Sequence, residues 1–401
     1  MHYFKALSYA LALASAVLAA PSDASDTNPY IGKTPFANKG YALKLEETIA
    51  YFNEQGDSLN AARTRTVQKI PTFAWISEIK NIRRIADIPG LISDTLEAQT
   101  ATGEKQLLQI AVYNLPDRDC SAKASAGELV LADDGLNKYK KYIDDIATEL
   151  QTESAQQLSF ALVIEPDSLG NIITNLDVPK CAGAADAYKE GIAYAIAKLQ
   201  IPNVALYIDA AHGGWLGWDD NLGPAAALFV EVLEGAKKLV PTATVRGLAI
   251  NVSNYNQYIA VARENYTEFS NSWDEWHYMN SLVPHLEENG YPAHFIVDQG
   301  HSGRGAIRTS WSQWCNIRNA GFGTHPTTDQ AILNNTYVNS IVWVKPGGES
   351  DGTSDTNTTW FDETCRSPIA HVPAPEAGDW FNNFVVNLVT NAEPPLEPTY
   401  L

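Results

Sequence analysis

Phe160-Ala-Leu-Val-Ile-Glu-Pro-Asp167 is a short, unbroken apolar run that stops on two acids. A run of this length without alternation, and with Val163 and Ile164 β-branched, reads as a strand covered on both faces. The same pattern recurs at 71–77, 107–115, 204–210, 247–253, 294–299 and 340–346, which makes seven with 160–166. Between these runs, stretches such as 138–151, 184–199 and 225–239 place apolar residues at i, i+3 and i+4, the period of a helix. Short buried strands alternating with helices predict parallel βα units, and so an α/β fold, either a barrel or a doubly wound sheet, in one domain.

The runs end on polar clusters: Asn114-Leu-Pro-Asp-Arg-Asp-Cys120, Glu165-Pro-Asp167, Asp209-Ala-Ala-His212, Asn251-Val-Ser-Asn254, Asp298-Gln299 and Lys345-Pro-Gly-Gly-Glu349-Ser-Asp351. Asp and Asn also cap helices that follow strands, which accounts for one or two such residues. Six clusters on successive strands point instead to a shared cleft at the C-terminal ends of the strands, where α/β barrels gather their reactive groups.

The chain has 401 residues, 28 Lys and Arg against 47 Asp and Glu, and a net charge of −19. This balance, with no basic block to offset it, sets aside nucleic acid and membrane surfaces as partners. His2 and Lys5 precede an apolar run, 7–18, that is too short to span a bilayer and ends in Val17-Leu-Ala19. It reads as a secretory signal, 1–19, cleaved near Ala19, which leaves a single catalytic domain, 20–401, in an exported, soluble, monomeric protein. The mature charge is about −20, since Lys5 leaves with the leader and no acid does.

Four cysteines in an exported chain suggest two disulfides, and Cys120, Cys181, Cys315 and Cys365 allow three connectivities. Sequential pairing would close loops of about 60 and about 50 residues, each contributing roughly 4 kcal/mol in chain-entropy terms. No CxxC, HExxH or P-loop pattern supports a zinc or nucleotide site, and no cofactor or metal is expected. Sequons stand at Asn251, Asn265, Asn334 and Asn357, with Asn251 expected to be inaccessible at a strand end.

The expected cleft is rich in carboxyls. Asp119, Asp167, Asp209, Glu349 and Asp351 in one site would force their pKa values apart. A carboxyl kept protonated beside ionised ones is what glycoside hydrolysis requires, and Asp167, after the most apolar strand and the stiffening Pro166, is the candidate acid. Such a cluster could instead hold a divalent cation, but EF-hand spacing is absent. Trp75, Trp215, Trp218 and Trp314 fall on separate loops. Indoles stack on the apolar faces of pyranoses, so these four imply several sugar subsites in a row.

Val112-Tyr-Asn-Leu-Pro-Asp-Arg-Asp-Cys120, Val163-Ile-Glu-Pro-Asp-Ser-Leu169, Tyr207-Ile-Asp-Ala-Ala-His-Gly-Gly-Trp-Leu-Gly-Trp218, Trp314-Cys-Asn316 and Trp343-Val-Lys-Pro-Gly-Gly-Glu-Ser-Asp-Gly352 stand in this order along the chain. On these segments the sequence, from Asn28 to about Pro398, resembles glycoside hydrolase family 6 of the fungal cellobiohydrolase II type. The resemblance implies a distorted seven-stranded parallel β/α barrel, Cys120–Cys181 and Cys315–Cys365 bridges, and inverting hydrolysis of β-1,4-glucan. It implies Asp167 as general acid, and Asp119 as the carboxylate that keeps that acid protonated and, with Ser125, orders the attacking water. Tyr113 would crowd the sugar into a distorted ring, and Asp351 is the candidate base. Trp75, Trp215, Trp218 and Trp314 would be glucosyl platforms. Lys345, Glu349, His212 and Asn251 would be further ligands.

Four positions depart from the family's pattern, one of them Ser350, where a Cys is sometimes seen. Asn114 stands where Asp is frequent, and His301 and His325 stand where Arg is usual, which removes guanidinium donors expected near the mouth. The long loops 114–136 and 347–365 place the chain with enzymes that roof the cleft into a tunnel and release cellobiose from non-reducing ends of cellulose and cellooligosaccharides. The alternatives are an endo-β-1,4-glucanase with an open or mobile cleft and, in another class, a glucan-binding protein without catalysis. The presence of Asp119, Asp167, Ser125 and Asp351 speaks against the latter.

Overall fold

Eight parallel strands form one curled sheet: β1 (Thr34–Pro35), β2 (Ala74–Ile76), β3 (Gln106–Val112), β4 (Ser159–Ile164), β5 (Val204–Asp209), β6 (Gly247–Ile250), β7 (Phe295–Asp298) and β8 (Val338–Val342). This computed structural model describes residues 27–86 and 90–400, and the expected leader, 1–19, lies outside the described residues. Strands β3 to β8 pair in chain order, while β1 and β2 share the other edge of β3, β1 at Gln106 and Leu107 and β2 from Ile110 to Val112. The seven expected strands are β2 to β8. β1 has two residues and is too short to leave a periodic signal.

The curl ends in a seam rather than a ladder. Between β2 and β8 the links are the Phe73 N–H to the Trp343 carbonyl, 3.1 Å, and the Trp75 indole N–H to the Val344 carbonyl, 2.8 Å. The result is an α/β half-barrel. Both faces of its sheet are dry, which explains the continuous apolar runs. Leu108, Ile110, Val112, Phe160, Leu162, Ile164, Leu206, Ile208, Leu248, Ile250, Phe295 and Val297 face the helices. Leu107, Ala111, Ala161, Val163, Tyr207, Ala249, Ile296 and Val342 face the interior, where three alanines leave room for the curl. The helices Gly135–Leu150, Pro179–Lys198 and Asp219–Leu239 cover the outside, each starting several residues before the expected stretch.

Several strands end earlier than the apolar runs do, and the cause is local. Glu165 (φ 53°), Asp167 (φ 65°), Ala211 (φ 51°), Asn251 (φ 61°) and Ser253 (φ 59°) all take left-handed backbone that side chains disfavour. After β8 the chain leaves the ladder because the N–H groups of Val344 and Lys345 donate to the Asp298 carboxylate, both at 3.0 Å. Pro71 has no N–H to give a ladder, and β2 begins only at Ala74. No helix among the described residues is long and apolar enough to cross a membrane.

Buried carboxyls staple the loops at this end. Glu165 accepts from the N–H groups of Asn114 and Leu115, and Glu275 from Gly213 N–H and the Asn256 amide. Burial pushes Glu165 up to about 7 and Glu275 up to about 8. The folded chain therefore holds protons that the unfolded chain releases near pH 4–5, so this stability is present below that range and lost as pH rises toward 8. The melting temperature should fall by several degrees between pH 5 and pH 8 in calorimetry. Glu275→Gln should remove part of that fall, and an unchanged pH dependence in that variant would show that Glu275 is ionised in the fold.

Candidate active site

The strand-end loops enclose a cleft of about 650 Å³. Asp167, Asp119, Ser125, Tyr113 and Asp351 all line it, with Trp75, Trp215, Trp218, Trp314, His212 and Lys345. Asp167 stands at the left-handed kink that opens the helix Ser168–Thr174, and its N–H donates to Asp209 at 3.0 Å. Its carboxyl is held well above the usual range by burial, then by the neighbouring Asp209 and Asp119, against the pull of Lys345. A carboxyl so placed is biased toward its protonated form.

Asp119 is also left-handed (φ 56°) and accepts from the Ser125 N–H at 2.7 Å. Burial raises its pKa, and the Ser125 bond and Lys180 oppose that rise. Its loop is tied down by the Cys120–Cys181 disulfide and by Lys180, which donates to the carbonyls of Arg118 and Asp119. Tyr113 sits between the Trp75 ring, edge-on at 5.4 Å, and the Arg118 guanidinium, 4.3 Å above its own ring.

The other wall carries Asp351, whose Oδ2 accepts from the Tyr255 hydroxyl at 2.5 Å and from Asn316 N–H at 2.8 Å. Its Oδ1 lies 3.4 Å from Lys345 Nζ. The Cys315–Cys365 disulfide carries this wall and meets the first loop directly, since Ala124 packs against both sulfurs' residues. A Cβ on Gly352 would lie 2.6 Å from Cys365 Sγ and 2.7 Å from the Ala124 Cβ, so only glycine lets the two loops close this tightly.

His212 is neutral: burial first, and the Arg308 charge second, push it down to about 3. The sequence expectation is corrected at other positions. Asn251 is fully buried, and its amide is spent on the Asn256 and Asp298 carbonyls and Ser302 Oγ, so no donor is left for a ligand. Glu349 does not line the cleft and pairs with Lys44 at 2.9 Å. Asp209 does not line it either, because its Oδ2 staples Asp167 and Ala211 N–H from beneath. His301 is no mouth residue. It is buried with its ring 4.3 Å from that of Tyr255, and burial pushes it down to about 4. His325 lies edge-on to Trp343 at 5.8 Å.

The sequence reading missed Asn171, Asn175, Asn221, Trp311, Ser312, Asp362 and Thr364 in the lining. Trp311, three residues before Trp314, carried the same aromatic signal. It packs edge-on against Tyr266 at 5.2 Å and fills the space above Gly214, where a Cβ would lie 1.9 Å from the indole. Among the described residues, no group of three His, Cys, Asp or Glu side chains could hold a metal ion.

A family profile described as Glycosyl hydrolases family 6 matches residues 30–392. The 1,4-beta-D-glucan cellobiohydrolase CEL6B of Podospora anserina is 48% identical over 376 residues, which are 93% of this chain and 84% of that one. The crystal structure of CcCel6C, a glycoside hydrolase family 6 enzyme from Coprinopsis cinerea, superposes with a TM-score of 0.91 at 66% identity, over 93% of this chain and 100% of that one. Cellobiohydrolase II (Cel6A) of Humicola insolens, solved with glucose and cellotetraose, gives 0.86 at 43% identity, over 92% and 100%. These likenesses cover nearly the whole chain and set it among the glycoside hydrolases. It belongs to glycosyl hydrolase family 6.

Proposed function

We propose that this protein is a secreted, monomeric cellobiohydrolase that cleaves β-1,4-glucosidic bonds of cellulose and cellooligosaccharides with inversion, releasing cellobiose from non-reducing ends. The observation that carries the reading is Asp167, a buried carboxyl crowded by Asp209 and Asp119 in a cleft lined with tryptophans. The names of the relatives above, two of them cellobiohydrolases, support the same substrate. In the proposed reaction Asp167 gives its proton to the glycosidic oxygen as the bond from C1 breaks. A water held by Asp119 and Ser125 attacks C1 from the opposite face and gives up its proton toward Asp351, the candidate base. Tyr113, wedged between Trp75 and Arg118, would crowd the reacting ring. Asp351 has one oxygen occupied by two donors, so only Oδ1, beside Lys345, is left to accept a proton.

Chain-end action is supported by the Ala124 contact with the second disulfide, which brings the two loops together. Cellotetraose incubated with the protein should give cellobiose, and no product over hours would favour the binding-only reading. Gly352→Ala should wedge Ala124 from the disulfide and open the roof. On carboxymethylcellulose the viscosity lost per reducing end released should then rise several-fold over wild type. If the wild type already shows a steep early viscosity drop with little cellobiose from cellulose, the endoglucanase reading is right.

A further inference from the structure

The side chain of Arg308 is almost fully buried, yet the cleft chemistry described above does not use it. Its hydrogen bonds run to amide oxygens: Nη1 to Asn254 Oδ1 at 2.9 Å and to the Gln313 carbonyl at 3.2 Å, and Nη2 to Asn256 Oδ1. The last of these has a consequence one residue further on. With Oδ1 of Asn256 held by the guanidinium, its Nδ2 points the other way and donates to Glu275 Oε1 at 2.6 Å. A flipped amide would set NH2 against the guanidinium, so the orientation is fixed by that charge. The same Nδ2 lies 3.4 Å from His212 Nδ1, and the Gly214 N–H donates to that nitrogen at 3.2 Å. Two donors converge on Nδ1, which must therefore be the bare nitrogen of the ring. The proton is left on Nε2, and His212 lines the cleft.

We infer that Arg308 is a positioning residue which, through the Asn256 amide, fixes His212 in the Nε2–H tautomer, so that the ring offers the cleft a hydrogen-bond donor for a sugar hydroxyl. The inference rests on the proposed function for the ligand, although the tautomer can be read without one. Lysine at position 308 would lack the rigid planar fork, which reaches Asn254 from one nitrogen and Asn256 from the other.

The test is a long-range proton–nitrogen spectrum of the protein labelled with 15N-histidine, with His212 assigned by its loss in His212→Gln. Wild type should show a pure Nε2–H ring. Arg308→Met, Arg308→Lys and the milder Asn256→Ala should each give a mixture of tautomers. In the same variants KM for cellotetraose should rise about tenfold with kcat within twofold, roughly the loss of one hydrogen bond. Combining Arg308→Met with Asn256→Ala should add nothing further. A pure Nε2–H ring in folded Asn256→Ala, or an Arg308→Lys variant with wild-type KM and tautomer, overturns the inference. A wild type that binds no cellotetraose while showing the expected tautomers overturns only the reading of the cleft.

Discussion

Asp167→Asn is expected to lower kcat on cellotetraose by roughly a hundred- to ten-thousand-fold, the range by which a positioned general acid accelerates proton transfer. The amide keeps the shape of the side chain and removes the proton that the departing oxygen needs. Binding should persist, because the surfaces that would hold the sugar are elsewhere: Trp75, Trp215, Trp218, Trp311 and Trp314, with Lys345 and His212. The dissociation constant, measured by calorimetry at a temperature where both proteins are folded, should stay close to that of the wild type. Loss of binding in parallel with rate would mean that Asp167 is a sugar ligand rather than the acid. An undiminished kcat would remove it from the chemistry.

Asp119→Asn should produce the second large loss, about a hundredfold or more in kcat/KM, and should also move the pH profile. On the proposed mechanism the wild-type rate should fall on the alkaline side as Asp167 loses its proton. Burial, Asp209 and Asp119 all raise the pKa of that group, so they carry the protonated acid to higher pH. Removing the Asp119 charge lowers the pKa of Asp167, and the alkaline limb shifts toward acid. Asp209→Asn separates the two effects. An amide oxygen there can still accept from the N–H groups of Asp167 and Ala211, so the limb should shift with a much smaller loss of rate. An alkaline limb at the same pH in both variants would show that Asp167 is not the group titrating.

Much of this was legible in the chain because the fold writes itself in short apolar runs, and most of them end where a cleft residue begins. Asp167 could be found in that way. The kinks that aim it could not, since nothing in Glu165-Pro-Asp167 announces left-handed backbone at both acids. Nor does a strand-end carboxyl declare whether it faces solvent or its neighbours' N–H groups. Asp209 and Asp298 are of the second kind, and Asp298 also ends β8 by drawing off the N–H groups of Val344 and Lys345. Asn251 looked like a ligand for the same reason, although its amide is consumed by the backbone around it. Glu349 was misplaced by a partner 305 residues away, Lys44, which no local pattern reveals. Trp311 and the Arg308 fork lie in the loop after β7, where periodicity is silent and only three-dimensional proximity gives the residues a role.

Inversion with Asp167 as acid is read most directly from the first product. Cellotetraose should be added to the wild-type enzyme in a proton NMR tube, and the anomeric signals followed before mutarotation mixes them. The newly formed reducing end should appear first in the α configuration, with β accumulating only at the rate of mutarotation. A first product in the β configuration would mean retention, and the water held by Asp119 and Ser125 would then have no place in the mechanism.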